Sequence, residues 1–470
     1  MLSNQNKILT ATDIDLIHQT SMKLLAEVGV LFPCNEALAI FKDHGFSTEG
    51  EKIFFSEKQV RDALATVPAQ FTLHARNPDR NVTIGNGESV FAPGYGAPLI
   101  VDMETGARTA TMADYHNLAK LAQALPNMDV SGHMIVEPDD VPVESAHLHM
   151  LLANIVHSDK PFMGSTEGTL GARHTMEMAR ILFGEEIDGR AATIGLVNSL
   201  SPLSYAPEMI EAIIEYARWR QPVVITPGVM AGSTGPITLA GVLALANAEA
   251  LAGIVLTQLV GPGTPVVYGG ASSHMDMRTG SMSIGGPEVT PKIGAQIQLA
   301  RHYGIPARGG GSLTDASAPD AQAGYESMLS LYSTISSGVD FVLHAAGILS
   351  SYLAFSYEKF ILDDEMCGMV RRAQRKIVVD ADTLAYDVIA SVGPGGNFLT
   401  EDHTFERCRS EFWLPDVSDR AGLHAWMNNG RENADVRAQR RWQALLAAHE
   451  DPPLDKAIVR QLQDYVDSHL

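Results

Sequence analysis

Between about residues 88 and 375 the sequence repeats one unit eight times: a short apolar strand, a Gly- or Pro-rich stretch, then a helix. Strands are expected at 89–93, 129–135, 161–165, 192–197, 222–226, 265–269, 305–308 and 340–344. Helices are expected near 112–125, 143–157, 170–183, 207–219, 236–259, 287–303, 319–337 and 357–375. Each helix carries the chain back to the edge where its strand began, so the strands run parallel. Eight such units with right-handed crossovers close the sheet into a (β/α)8 barrel. An open doubly wound sheet is the rival; it wants a G-x-G-x-x-G turn opening an early helix, and the sequence has none.

The flanks read differently. Residues 1–87 are expected to form a helical and hairpin extension, 88–375 the barrel, and 376–470 a helical region packed on its outside. In the extension, Ile14, Ile17, Leu24, Leu25 and Val28 recur at helical spacing behind Thr10-x-x-Asp13, a capping-box pattern. Ser56-x-x-Gln59 opens a second helix, and two short strands flank an Asn77-Pro78-Asp79 turn. The tail shows helices near 382–392, 403–411, 431–449 and 455–469, with Gly393-Pro394-Gly395-Gly396 linking the first two.

Charge narrows the partners. With 34 basic and 55 acidic residues the formal balance is −21, which opposes binding to nucleic acid or an anionic membrane. The amino terminus has no apolar signal core. The longest apolar stretch, 239–260, is interrupted by Asn247, Glu249 and Gln258 and reads as a buried helix. Three distant cysteines, Cys34, Cys367 and Cys408, suit a reducing compartment better than a disulfide framework. A cytoplasmic homo-oligomer is the expectation.

In a barrel of this kind the chemistry sits at the carboxyl ends of the strands. Position alone nominates Tyr95 after the first strand, His133 at the end of the second, Glu167 after the third and Asn198 after the fourth. His274 lies beyond the sixth, Arg308 ends the seventh, and His344 closes the eighth. Gly309, Gly310 and Gly311 follow the seventh strand, where missing side chains let a bulky group approach; tight turns explain such glycines equally well. Tyr205, Tyr268 and Phe355 add aromatic faces at or past strand ends, and such faces bind quaternary ammonium groups. No metal held by this chain is expected: Cys-x-x-Cys and His-Glu-x-x-His are absent, and His147 and His149, two apart on a helix, face different ways.

Three stretches, Ala92–Pro98 (APGYGAP), Ser312–Tyr325 (SLTDASAPDAQAGY) and Val392–Phe398 (VGPGGNF), make the chain resemble the trimethylamine methyltransferase family over nearly its whole length. The resemblance implies a TIM barrel that passes a methyl group from an amine to the cobalt of a corrinoid on a separate protein. Archaeal trimethylamine members carry pyrrolysine at the mouth. Here all 470 residues are standard, and the stretch after the seventh strand reads GGGSLTD over 309–315. Cobalt(I) is a strong nucleophile, and nitrogen departs readily only as a neutral amine. Neutral trimethylamine therefore needs activation, whereas a quaternary amine already carries its charge and needs no general acid. The enzyme's task becomes positioning and water exclusion.

The pyrrolysine-free branch, whose substrates include glycine betaine, proline betaine and carnitine, fits this pattern. Glycine betaine is the expected donor, with carnitine, choline or proline betaine as alternatives, and a catalytically silent amine-binding barrel as the rival class. Under this reading Tyr95 and Phe355 surround the trimethylammonium group and Glu167 adds negative potential. His344 and His133 orient the substrate's carboxylate, and Arg308 is its counter-ion. The chain lacks an Asp-x-His-x-x-Gly cobalamin-binding pattern, so the corrinoid is expected on a partner that docks over the mouth.

Overall fold

A computed structural model describes residues 7–103, 106–187 and 189–470. Seven short strands form its core: β1 (Val90–Phe91), β2 (Phe162–Met163), β3 (Thr193–Val197), β4 (Val223–Ile225), β5 (Val266–Tyr268), β6 (Arg308–Gly310) and β7 (Phe341–Leu343). Parallel ladders join β2 to β3, β3 to β4, β4 to β5, β6 to β7 and β7 to β1. β5 meets β6 through the Tyr268 amide, which donates to the Pro306 carbonyl at 2.8 Å. The expected second strand is not a regular one. Residues 129–132 nevertheless bridge β1 and β2: the Asp129 and Val130 amides donate to Phe91, and the Ser131 amide donates to Pro161. Gly132, at φ +89°, then bends the chain away, which is why no ladder extends to residue 135.

Eight helices return the chain: α1 (Met112–Ala124), α2 (Val143–His157), α3 (Gly168–Phe183), α4 (Pro207–Arg218), α5 (Leu239–Val260), α6 (Val289–Tyr303), α7 (Ala321–Ser336) and α8 (Tyr357–Ala373). The result is a mixed α/β fold whose strands bury both faces, as parallel strands must. One face carries Val90, Met163, Ile194, Val224, Val267 and Phe341 in a single apolar cluster. The other packs against the helices.

α5 is long and apolar enough to cross a membrane by composition, and most of it is buried inside the protein. Its interrupting polar residues are satisfied there, as burial requires. Asn247 donates to the hydroxyls of Tyr303 and Ser21 and accepts from Tyr268. Glu249 accepts from Ser199, Ser201 and the Leu203 amide, yet burial still holds its carboxyl above the usual range.

The flanking segments lock onto this core. Thr10 and Ser56 each make the expected capping box. Strands Phe71–Leu73 and Val82–Ile84 pair antiparallel, and Leu73 and Ile84 join the inner apolar cluster at the amino ends of the strands. The His74 amide donates to Ala191, just before β3, and seats the hairpin there. At the other terminus, helix Ala434–Ala447 lies on α8, with the Trp442 ring 4.8 Å from Tyr357 and its indole N–H donating to Glu358. Asp451 accepts from His157 at 2.6 Å and His449 at 2.9 Å, tying the last turns of the chain to α2.

One ion pair crosses the interior. Lys359 Nζ lies 2.5 Å from Asp363 and also donates to Ser327 and the Ser312 carbonyl. Asp363 accepts from the Gly347 amide as well, so the loops after β6 and β7 share one buried anchor. Asp363→Ala strands a buried ammonium and should lower unfolding free energy by about 3–5 kcal/mol in urea titration. The double replacement Lys359→Met/Asp363→Leu should cost clearly less; an equal cost would show that the pair is not the anchor.

Candidate active site at the carboxyl ends of the strands

The loops after β1 and β7 are stitched together. The His344 amide donates to the Pro93 carbonyl, and the Tyr95 amide donates to His344 Nδ1 at 3.2 Å. That bond requires Nδ1 to be proton-free, so the proton sits on Nε2. Burial and the nearby Arg308 guanidinium hold His344 far below its ordinary pKa, so it is neutral. Its backbone is left-handed at φ +62°, as are Ser350, Ser351 and Tyr352. Non-glycine residues adopt that region only when their surroundings force it, and such strain collects at functional sites. The Tyr352 ring packs on the imidazole with centroids 4.7 Å apart.

Two carboxylates and a phenol make up one side of the mouth. Burial and Glu137 push the Glu167 carboxyl upward, and burial alone does so for Glu137. Tyr95 feels both: burial, then Glu167 and Glu137, raise its hydroxyl well above the usual value. Behind them His147 sits 3.5 Å from Glu167 and 2.8 Å from His174. His133 is fully buried with neither ring nitrogen hydrogen-bonded, and burial followed by repulsion from His147 pulls it down to about 3. This side offers negative potential and aromatic surface, and it lacks a protonated imidazole.

A second group, on β6 and α6, is cationic. Arg308 pairs in register with Phe341, an inner-cluster residue, so its side chain points inward too. It is buried, donates to the Gly270 carbonyl at 2.9 Å, and leaves Nε without a partner. One turn into α6, Lys292 is buried, and desolvation plus Arg308 pull it down to about 7. One turn further along, both amide atoms of Gln296 lack hydrogen bonds. Neither Arg308 nor Lys292 has a carboxylate within salt-bridge distance among the described residues. Buried cations without counter-ions are costly, and an anion between them would relieve that cost.

Asp315 frames this side from above. It accepts from Ile284 and Ser351 with one oxygen and from Ser283 with the other, joining a hairpin over 273–283 to the strained 350–352 turn. His274 stands in that hairpin on an open groove of about 960 Å³. Asn198 is exposed at the end of β3.

Several expected residues are not brought to these groups. Val267 faces inward, so Tyr268 faces the helices, where its hydroxyl donates to Asn247 at 2.9 Å. Tyr205 is fully buried under the amino-terminal extension, stacked on Phe32 and bonded to the Glu249 carbonyl. Phe355 packs across Gly94 and Gly347, edge-on to Phe360, behind the Tyr95 loop. The glycines after β6 are filled by the protein itself: a Cβ on Gly309 would strike Thr334, one on Gly310 would strike Leu313, and one on Gly311 would strike the backbone of the next loop. They permit close strand–helix packing and leave no opening for a bulky group. Glu137, Lys292 and Gln296 were not expected from position.

Among the described residues, His157, His449 and Asp451 have the spacing of metal ligands. They lie at the far end of α2, among the carboxyl-terminal turns, and not with Tyr95 or Arg308.

Residues 3–469 match the trimethylamine methyltransferase (MTTB) family model. The chain is 48% identical to a glycine betaine methyltransferase of Desulfitobacterium hafniense (strain Y51), over 98% of this chain and 96% of that protein. It is 36% identical to a proline betaine:corrinoid methyltransferase of Eubacterium limosum, over 88% of this chain and 87% of that one. The fold is similar to the crystal structure of Methanosarcina barkeri monomethylamine methyltransferase, with a TM-score of 0.52 at 13% identity, over 94% of this chain and 90% of that chain.

The cationic side sets a pH dependence. An anion favours protonated Lys292, whose free-protein pKa is about 7. Affinity for a small carboxylate should hold below that pH and fall above it, by up to about tenfold per unit. Calorimetric titrations with acetate from pH 6 to 9 measure this, and Lys292→Met should flatten the profile; an unaltered slope would remove Lys292 from the anion site.

Proposed function

Because the chain belongs to the trimethylamine methyltransferase family, we propose that it moves a methyl group from glycine betaine to Co(I) of a corrinoid carried by a separate protein. The strand pairings, read with the 129–132 bridge, support a closed (β/α)8 barrel, with 1–87 and 376–470 packed around it. A cytoplasmic setting suits the strong reduction that Co(I) needs.

One observation carries the substrate: the mouth is divided by charge, with Glu137, Glu167 and Tyr95 on one side and Arg308, Lys292 and Gln296 on the other. Glycine betaine has the matching form, a trimethylammonium group one carbon from a carboxylate. Tyr95 and the two carboxylates hold the cation, with about 0.5–2 kcal/mol from the aromatic face. Arg308 and Lys292 take the carboxylate, and Gln296 supplies its unpaired amide donor. His344, neutral with its proton on Nε2, donates toward the substrate without adding charge. His133 fills the interior beneath, and Phe355 braces the loop that holds Tyr95.

The donor held in this way needs no proton. The methyl carbon bonds to Co(I) as the C–N bond breaks, and that bond's electron pair stays on nitrogen, which leaves as the neutral tertiary amine nitrogen of dimethylglycine. The residues fix the line from nitrogen through carbon to the approaching cobalt, and the low-dielectric cavity keeps water out.

Mixing the protein with Co(I) cobalamin and single amines, and following the methylcobalamin spectrum, tests the reading. Glycine betaine should react and yield dimethylglycine. Choline, with the same cation and no carboxylate, should react at least about a hundredfold more slowly, as should Arg308→Met with glycine betaine. Equal rates with choline would overturn the anion assignment. Binding without turnover of any quaternary amine would favour a silent barrel.

A further inference from the structure

α8 ends beside the amino ends of the strands, where the Arg371 guanidinium pairs with Asp129 and lies over the Phe91 ring. From there residues 377–412 make an excursion and return at Trp413, which packs beside Gly368 of the same helix. Glu365 of α8 then gathers the amides of Asp416, Val417 and Ser418. Between those two anchors the chain has almost no interior of its own. Its helices Tyr386–Val392 and Asp402–Arg407 contain no buried residue. Ten large apolar side chains of this arm face outward, among them Ile377 at 89%, Leu399 at 80% and Phe405 at 82% exposure. Together they expose on the order of 1,000 Å² of apolar surface, above the roughly 300–600 Å² of the largest patch on an ordinary monomer and near what each partner buries in a stable dimer.

We propose that this arm is the homodimer interface, laid against a second copy of the same chain. Two further features select that occupant. The arm stands at the amino ends of the strands, whereas a cobalt carrier has to reach the carboxyl ends where Tyr95 and Arg308 meet; this step rests on the mouth assigned above. The arm is also acidic, with seven carboxylates against two arginines over 377–412. The end of α8 beside it is basic, with Arg371, Arg372, Arg375 and Lys376 in six residues, of which Arg375 and Lys376 are exposed. Two copies related by a two-fold axis place each acidic arm on the other's basic helix end and cover both apolar strips at once. The interface needs no ligand and leaves both mouths open.

Sedimentation of the full chain at micromolar concentration tests it. The wild type should sediment as a dimer or a multiple of one, and Leu399→Asp/Phe405→Asp should weaken self-association by about a hundredfold or more. That variant should keep its far-ultraviolet circular dichroism and its acetate affinity, which separates lost assembly from lost folding and from failure of the mouth reading. Arg375→Glu/Lys376→Glu should also weaken assembly, and adding Asp380→Lys/Asp382→Lys should restore it. A monomeric wild type, or assembly indifferent to these changes, overturns the proposal. Hydrogen exchange in the arm that slows only when a corrinoid protein is added would assign the arm to that partner instead.

Discussion

Two cations buried without a carboxylate are the constraint to which the rest of the active end answers. Arg308 is there because β6 pairs in register with β7; a slip of one residue would turn it out among the helices. Lys292 and Gln296 are there because α6 begins close to the loops after β5 and β6. Among the described residues no ion pair links either cation to Glu137 or Glu167, which reach the surface. The fold keeps these carboxylates beside Tyr95 instead. A core that leaves cations unpaired is less stable than one that pairs them, and the buried Lys359–Asp363 pair shows that this chain joins opposite charges elsewhere. Under the proposed function the two groups would meet the two ends of a zwitterionic donor.

Backbone strain serves the same arrangement. His344 and the 350–352 turn hold left-handed conformations under a net of hydrogen bonds donated to Pro93 and Asp315 and accepted from Tyr95. The net fixes the imidazole tautomer and keeps Tyr352 over its ring. A relaxed turn would leave both free to rotate, and a positioning enzyme has little besides position to offer.

Much of this was legible in the sequence. All eight core helices lie close to their expected bounds because their caps and periodicity are local properties. The irregular second strand was not legible, since the bend at Gly132 depends on its neighbours. Tyr95, Glu167, Arg308 and His344 were reachable from strand ends alone. Tyr268 was misplaced because Val266-Val267-Tyr268 is apolar throughout, and a strand buried on both faces gives no alternation to show which face is inner. Tyr205 was misplaced because its cover, Phe32, comes from the other end of the sequence. Lys292 and Gln296, four apart on an otherwise apolar-facing helix, carried a signal that could have been read: polar residues at that spacing share one face. Glu137 carried none, lying in an irregular loop.

The hairpin of Phe71–Leu73 and Val82–Ile84 seats Leu73 and Ile84 in the inner cluster at the strands' amino ends. Under the proposed function, with that floor in place, the donor and the cobalt carrier would share the doorway at the carboxyl ends of the strands. The betaine would then have to enter before the carrier arrives, and the demethylated amine would wait for the carrier to withdraw. Turnover would then be a queue: its order would be imposed by architecture, and an excess of carrier would obstruct the reaction it serves.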